Sequence, residues 1–293
     1  MNYELSISKL SDYGKLYGIM VSNEIEPGDN LRIDLKEHIM IKPVHVIILT
    51  MGVIQLVNKE VLIDVYLPEK DKQRDFLLGI EFEKFCNANM TTSNTVSDIS
   101  IKNALPLRRV NTEHLNDYIL EALAYFGVHC ANKDTSMLDL SIAELINNVY
   151  DHAGSAIDAY IFSQYSPKKK RINIVVGDFG IGIPAKANKY FEDESIPAKS
   201  SEECIKWALA LNQSSFSKPH NKGKGLNNIY SFVKASDSRL RIFSNDVVFE
   251  CKGTEEEIYS NNLINDFRGT VVEVEINIDG LADEDLTLKS LWD

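Results

Sequence analysis

Between residues 144 and 270, four short polar clusters sit at the ends of apolar, periodic segments, and that placement limits the folds open to the chain. Glu144, Asn148, Asp151 and His152 fall in ELINNVYDHA, and Asp178, Gly180 and Gly182 in GDFGIGIP. Lys222, Gly223, Lys224, Gly225 and Leu226 fall in NKGKGLNN, and Gly269 and Thr270 in RGTVVEVEI. The first cluster lies in a helical pattern, because Leu138, Ile142, Leu145, Ile146 and Val149 recur at spacings that share one helix face. The second follows the apolar strand-like run Ile172–Val176, the third opens a helical segment at Gly225–Ala235, and the fourth starts a strand at Gly269–Ile278. Glycine at such junctions lets the backbone turn, or approach another group, with no Cβ in the way. Each cluster alone has an ordinary reading. Polar residues at helical spacing line any solvated face, and Asp-x-Gly after a strand is a common turn. Their order and their positions at element ends make them a set.

The surrounding pattern predicts an α/β chain of two units. Over 101–293, Thr112–Phe126 is helical, with Leu115, Ile119, Leu123 and Phe126 on one stripe, and a second helix runs from Thr135 or Ser136 to about Ala153. Strands are expected at Ala156–Tyr165, Ile172–Asp178, Arg239–Ser244, Val247–Cys251 and Gly269–Ile278, the first two joined by the basic turn Lys168–Arg171. The stretch 179–224 mixes helical pieces and polar loops. Helices early and strands late predict a layered α/β (α+β) sandwich. Over 1–100, a strand at Leu31–Leu35, a helix at Ile41–Lys59 with Pro43 in its first turn, a strand at Val61–Leu67 and a helix at Lys70–Cys86 predict a small parallel β-α-β unit. The polar run Asn87–Ser100 reads as a linker.

Charge narrows the partners. The 293 residues carry a net charge of −12, with a pI near 5.0. That opposes a broad nucleic-acid footprint or an anionic membrane surface, both of which need an excess of Lys and Arg. The N-terminus has neither a basic n-region nor an apolar h-region, and His45–Val57 is too short to span a bilayer. Cys86, Cys130, Cys204 and Cys251 show no metal or redox spacing. A reduced, cytoplasmic setting is the expectation.

The clusters suit one chemistry. An Asn amide such as that of Asn148 ligands Mg²⁺ without adding charge, and Mg²⁺ takes few protein ligands. Glu144, one turn away, is placed to orient or deprotonate an attacking hydroxyl. Asp178 at a strand end can accept from an exocyclic amine such as that of adenine, with Gly180 and Gly182 admitting a flat ring. Backbone N–H groups at Gly223 and Gly225, before a helix, face an anion, and Lys222 and Lys224 add charge there. Ser214, Ser215, Ser217 and Asn221 read as a polar lid, and Thr270 can hold a water against the base.

Together these residues resemble the GHKL superfamily of ATPases and kinases, with the Bergerat ATP-binding fold. The run at Glu144–His152 resembles the N box, Asp178–Pro184 the first glycine box, Gly223–Leu226 the second and Gly269–Thr270 the closing one. The resemblance covers roughly 111–279. It implies a mixed, mainly antiparallel sheet, Mg-ATP as cofactor, Asn148 on the metal and Asp178 on adenine. Gly180 and Gly182 would shape the base pocket, Gly223 and Gly225 cradle phosphates, and Thr270 join the water network at the base. Glu144 would be the catalytic base, or would activate a substrate hydroxyl. The stretch from Ile205 to Ser215 resembles the lid of bacterial anti-sigma-type serine kinases. The N-terminal unit more weakly resembles a STAS-like domain, although Asp34–His38, where that domain's phosphoacceptor would fall, holds no Ser or Thr.

The expectation is a cytoplasmic Mg-ATP-binding protein that phosphorylates or switches a protein partner, with the STAS-like part docking or sensing. It leaves room for a homodimer and expects neither membrane nor direct nucleic acid as partner. An ATP-hydrolysing clamp is the alternative. It needs a further domain or subunit beyond the ATP fold, and the chain ends soon after Asp279. A non-catalytic ATP-binding module is another, against which the Glu144 carboxylate weighs. A sensor histidine kinase fits less well, since neither His114 nor His129 precedes the acidic residue and proline of such an acceptor.

Overall fold

A computed structural model describes residues 1–9, 12–22, 24–37, 40–85, 103–110, 115–152, 159–210, 225–260 and 267–284, with the side chains of 21, 71, 83, 115, 137, 139, 148–152, 225, 267 and 268 outside the description. The N-terminal part runs β1 (Asn2–Ser6), α1 (Tyr13–Val21), β2 (Asn30–Asp34), α2 (Pro43–Asn58), β3 (Leu62–Tyr66) and α3 (Asp71–Gly79). Then come β4 (Arg108–Val110), α4 (Leu115–Gly127), α5 (Ser136–His152), β5 (Ala159–Ser166), β6 (Arg171–Asp178), α6 (Ile183–Asp193) and α7 (Ser201–Leu209). The last elements are α8 (Gly225–Ala235), β7 (Arg239–Asn245), β8 (Val247–Lys252), β9 (Glu255–Ser260) and β10 (Phe267–Asn277). The chain is an α/β protein, with two sheets among the described residues. One is three-stranded and parallel, in the order β1-β2-β3. The other is seven-stranded, in the order β4-β5-β6-β10-β7-β8-β9, and antiparallel at each pairing among the described residues.

Strand alternation divides the seven-stranded sheet into two faces. Ile172, Ile174 and Val176 of β6 enter one core with Leu138, Ile142 and Leu145 of α5 and Ile229 and Val233 of α8. Val175, Tyr160, Phe162, Phe243 and Val271 enter the other core with α2. That second core also takes Ile33, Ile63 and Val65 of the small sheet, so α2 is a layer between two sheets. Its sequence explains the position. Pro43 starts the helix, His45 Nδ1 accepts the Lys42 N–H at 3.1 Å, and apolar residues follow on every side. Val46, Ile47, Leu49, Met51, Val53 and Leu56 are fully buried, each worth about 1.5–3 kcal/mol of apolar transfer.

Several elements differ from the sequence expectation. β1 and α1 were not foreseen, nor were the short edge strands β4 and β9. β9 carries Glu255, Glu256 and Glu257 and is largely exposed, so it lacks the apolar alternation of a strand and blunts an open sheet edge with charge. The single helix expected over Lys70–Cys86 is α3 followed by a 3₁₀ turn at Phe82–Phe85, because Glu81 takes φ 64° and stops the helix. The stretch after β6 forms α6 and α7, whose Ala187, Phe191 and Cys204 close a small core with Tyr190 and Trp207. The expected linker Asn87–Ser100 lies outside the described residues.

Candidate functional site

β10 lies between β6 and β7, and its register aligns three polar residues. Thr270 pairs with Asp178 on one side and with Ser244 on the other. Two residues along each strand, Val176, Val272 and Ile242 belong to the core under α5 and α8. Asp178, Thr270 and Ser244 therefore form a row on the helix-covered face, at one end of the sheet.

Asp178 is 4% exposed, and its Oδ1 accepts the Gly180 N–H at 2.6 Å. Burial pushes its carboxyl up to about 7, against the lowering effect of that N–H. Among the described residues no cation offsets that burial, and a buried carboxylate so placed favours any ligand that brings donors to it. Two glycines allow close packing at this point. Gly182 is the N-cap of α6 at φ 82°, and a Cβ there would fall well inside 3.0 Å of the Asn245 side chain. Gly269 has φ 135°, and a Cβ there would fall well inside 3.0 Å of the Asp178 carbonyl oxygen. β10 shifts register between Phe267 and Thr270, which matches this close approach.

Ser244 links Thr270 to the residues around the strand end and was not foreseen from sequence. Its Oγ is buried, donates to the Gly269 carbonyl at 2.9 Å and accepts the Ile183 N–H at 2.9 Å. Thr270 Oγ1 lies 3.2 Å away. A hydroxyl has one proton to give, so the Thr270 hydroxyl donates to Ser244 and keeps its own lone pairs as acceptors. The sequence signal for Ser244 was a polar residue closing an apolar strand, which many strand ends share.

Two helices that bear sequence clusters cover this face of the sheet. After α5, a connection of six residues, 153–158, leads into β5 at Ala159, next to Tyr160, the partner of Gly177. Asn148, Asp151 and His152 lie in the C-terminal half of α5, a helix that packs on β5 and β6. α8 leads through the turn 236–238 into β7 and packs back along it. The entry of α8 at Gly225 therefore lies toward Ser244 rather than Arg239. α5 and α8 also pack on each other. Glu144 is half-buried on α5, one turn before Asn148.

The remaining candidates are only partly visible. Gly180 and Gly182 are buried beside Asp178, and Leu226 packs against the helix-side core. Lys222, Gly223 and Lys224 lie outside the described residues, as do Ser214, Ser215, Ser217 and Asn221. The two flanks of that segment are joined, since Asn227 Nδ2 donates to the Leu209 carbonyl at 2.8 Å. Asn227, also missed from sequence, draws the start of α8 to the end of α7. Among the described residues no group of three or more His, Cys, Asp or Glu is arranged to hold a metal ion, and no helix is long and apolar enough to cross a membrane. Burial pushes the Cys130 and Cys251 thiols up to about 11.

No protein-family model matches the chain, and no curated protein matches it. Among solved structures it is similar to the topoisomerase IV ATP-binding domain of Francisella tularensis, determined with a small-molecule inhibitor, at 13% identity and a TM-score of 0.29. The match covers 66% of this chain and 47% of that one, so the chain spans about half the length of that structure.

Proposed function

We propose that the chain binds Mg-ATP at the sheet end carrying Asp178 and uses it to phosphorylate or switch a protein partner, in the manner of GHKL proteins of the anti-sigma kinase type. One observation carries the reading. Thr270 of the fourth cluster pairs with the buried Asp178 of the second at one sheet end, and α5 and α8, which bear residues of the other two clusters, pack on each other and on that same face. Separate structural roles for the four clusters give no reason for that convergence.

The described residues fit an adenine. Asp178 is a buried acceptor with one backbone N–H on Oδ1, and an exocyclic amine would meet it as donor. Gly182 and Gly269 let the neighbouring backbone close tightly around the carboxylate, and the Thr270 hydroxyl has acceptor lone pairs. The N-terminus of α8 offers backbone N–H groups and the positive end of a helix dipole to phosphates. Asn148 would hold Mg²⁺, with Asp151, His152, Lys222, Gly223 and Lys224 around the phosphates. When bound, Mg-ATP supplies the transferable phosphoryl group. Glu144 would orient the attacking hydroxyl or take its proton, and catalysis would consist of positioning and charge neutralisation. In this reading residues 1–100 form the docking or regulatory part and 101–293 the nucleotide part, at work in the cytoplasm.

Labelled ATP with Mg²⁺, with and without candidate partners, tests the proposal. Label on a partner serine or threonine is the expected result. Free phosphate, lost in Glu144→Ala while ATP still binds, would make the chain an ATP-hydrolysing clamp. Tight binding with neither signal would make it a passive module. No binding of adenine nucleotide would end the proposal.

A further inference from the structure

The strand end that carries Asp178 is held from behind by the N-terminal part of the chain. Gly177 precedes Asp178 and faces the opposite side of the sheet. A Cβ on Gly177 would fall well inside 3.0 Å of Met51 Sδ, 2.5 Å from Ile47 Cγ2 and 3.3 Å from Val271 Cγ2. Two side chains of α2 therefore press directly on the backbone of β6, one residue from the carboxylate. Val271 is the cross-strand partner of Gly177 and follows Thr270. Phe179, on the other side of Asp178, packs against the same α2 core. Gly269 meets the Asp178 carbonyl from the side. The backbone at 177–179 is thus fixed on three sides, and α2 supplies the floor. Ile47 and Met51 are both fully buried, so no solvent layer separates helix from strand.

We propose that Ile47 and Met51 are positioning residues for the Asp178 carboxylate, so that the seating of α2 sets how well the pocket takes adenine. The proposal rests on the nucleotide reading above. It makes the N-terminal part a built-in determinant of nucleotide affinity. α2 also touches α1, since a Cβ on Gly52 would stand 2.7 Å from Leu16 Cδ2, and it shares its core with the three-stranded sheet. Whatever engages those elements reaches Asp178 through two side chains.

The test uses the full chain and compares Met51→Ala with Ile63→Ala, a truncation in the same core on the far sheet. ATP affinity is read by calorimetry, and the Gly180 amide proton by NMR, as a reporter of its hydrogen bond to Asp178. Met51→Ala is expected to weaken ATP binding about tenfold and to move the Gly180 amide signal, because site groups tolerate displacements of only about half an ångström. Met51→Leu, which conserves volume, is expected to restore both. Ile63→Ala is expected to lose stability yet leave affinity and amide signal as in the parent. Equal effects from Met51→Ala and Ile63→Ala, or none from Met51→Ala, would overturn the proposal. If Met51→Ala does not fold, Ile47→Val takes its place with the same two readouts. If the parent binds no ATP, the nucleotide reading fails by itself. The Gly180 amide then decides the positioning claim, which stands if only the α2 variants move it and falls if they do not.

Discussion

At the end of the seven-stranded sheet, two rows of residues lie one position apart and face opposite ways. Asp178, Thr270 and Ser244 make the row under the helices, polar, with Ser244 and Thr270 joined by a hydrogen bond. Gly177, Val271 and Phe243 make the row against α2, apolar and tightly packed. The same three strands supply both. A strand's period of two lets one backbone carry chemistry on one face and its support on the other, without a residue serving both.

The sharpest way to break this comparison is to enlarge Gly177. Gly177→Leu adds a side chain where Ile47 and Met51 already sit. Overpacking of a filled core is expected to cost about 3–5 kcal/mol, toward the severe end for single substitutions. Urea unfolding checks it, and near-parental stability would mean that α2 does not seat on this strand. Gly269→Ala acts on the polar side and is expected to cost about 2–4 kcal/mol. It combines φ 135° with a collision against the Asp178 carbonyl, backbone that cannot swing aside. The same unfolding measurement ranks the two.

Asp178→Asn separates stability from binding. The folded carboxyl sits near 7 against an ordinary 3.8. Between those values the folded state holds a proton that the unfolded state has lost. The stabilising effect of the neutral acid is complete below about 3.8 and disappears as pH rises through 7, where burying the charge becomes a cost. Asn still accepts the Gly180 N–H and carries no charge. The ligand-free variant is expected to gain on the parent as pH rises, by about 1–3 kcal/mol more at pH 8 than at pH 5, while adenine-nucleotide affinity falls by about 1–3 kcal/mol. Denaturation at the two pH values and calorimetry with ATP measure both. A variant that binds as the parent does would remove Asp178 from the adenine role.

Much of this arrangement was legible in the sequence where periodicity was strong. The core strands β6, β7, β8 and β10 and the helices α2, α5 and α8 follow their apolar spacing to within a few residues. β9 was not legible because an exposed edge strand of three successive glutamates has no apolar face to show. α6 and α7 were blurred because they bury only a few residues each, in a core of their own. At the site, Asp178, Gly182 and Gly269 stood out because turn and glycine chemistry is local. Ser244, Asn227 and Gly177 did not, because their importance comes from partners 25, 18 and over 120 residues away, and a single chain of letters does not display such contacts. The layer formed by α2 between the two sheets belongs to the same class. Its all-round apolar sequence showed that it is buried, but not against what.

The smallest expected effect is the most selective between the two rows. Ser244→Ala removes a hydroxyl that joins three elements and leaves Phe243, its neighbour on the α2 side, untouched. The Ile183 N–H and the Gly269 carbonyl each lose that partner, for a cost of about 1–2 kcal/mol. The Thr270 hydroxyl loses the acceptor that fixed its proton and becomes free to donate elsewhere. Stability should therefore fall slightly, and ATP affinity should change through Thr270 while the packing against α2 stays intact. Unfolding and calorimetry on Ser244→Ala and on the double variant with Thr270→Ala separate the two effects. If Thr270 contacts the ligand through the orientation that Ser244 imposes, the losses in affinity will not add. Additive losses would mean that Ser244 stabilises the strand end and does nothing further for the pocket.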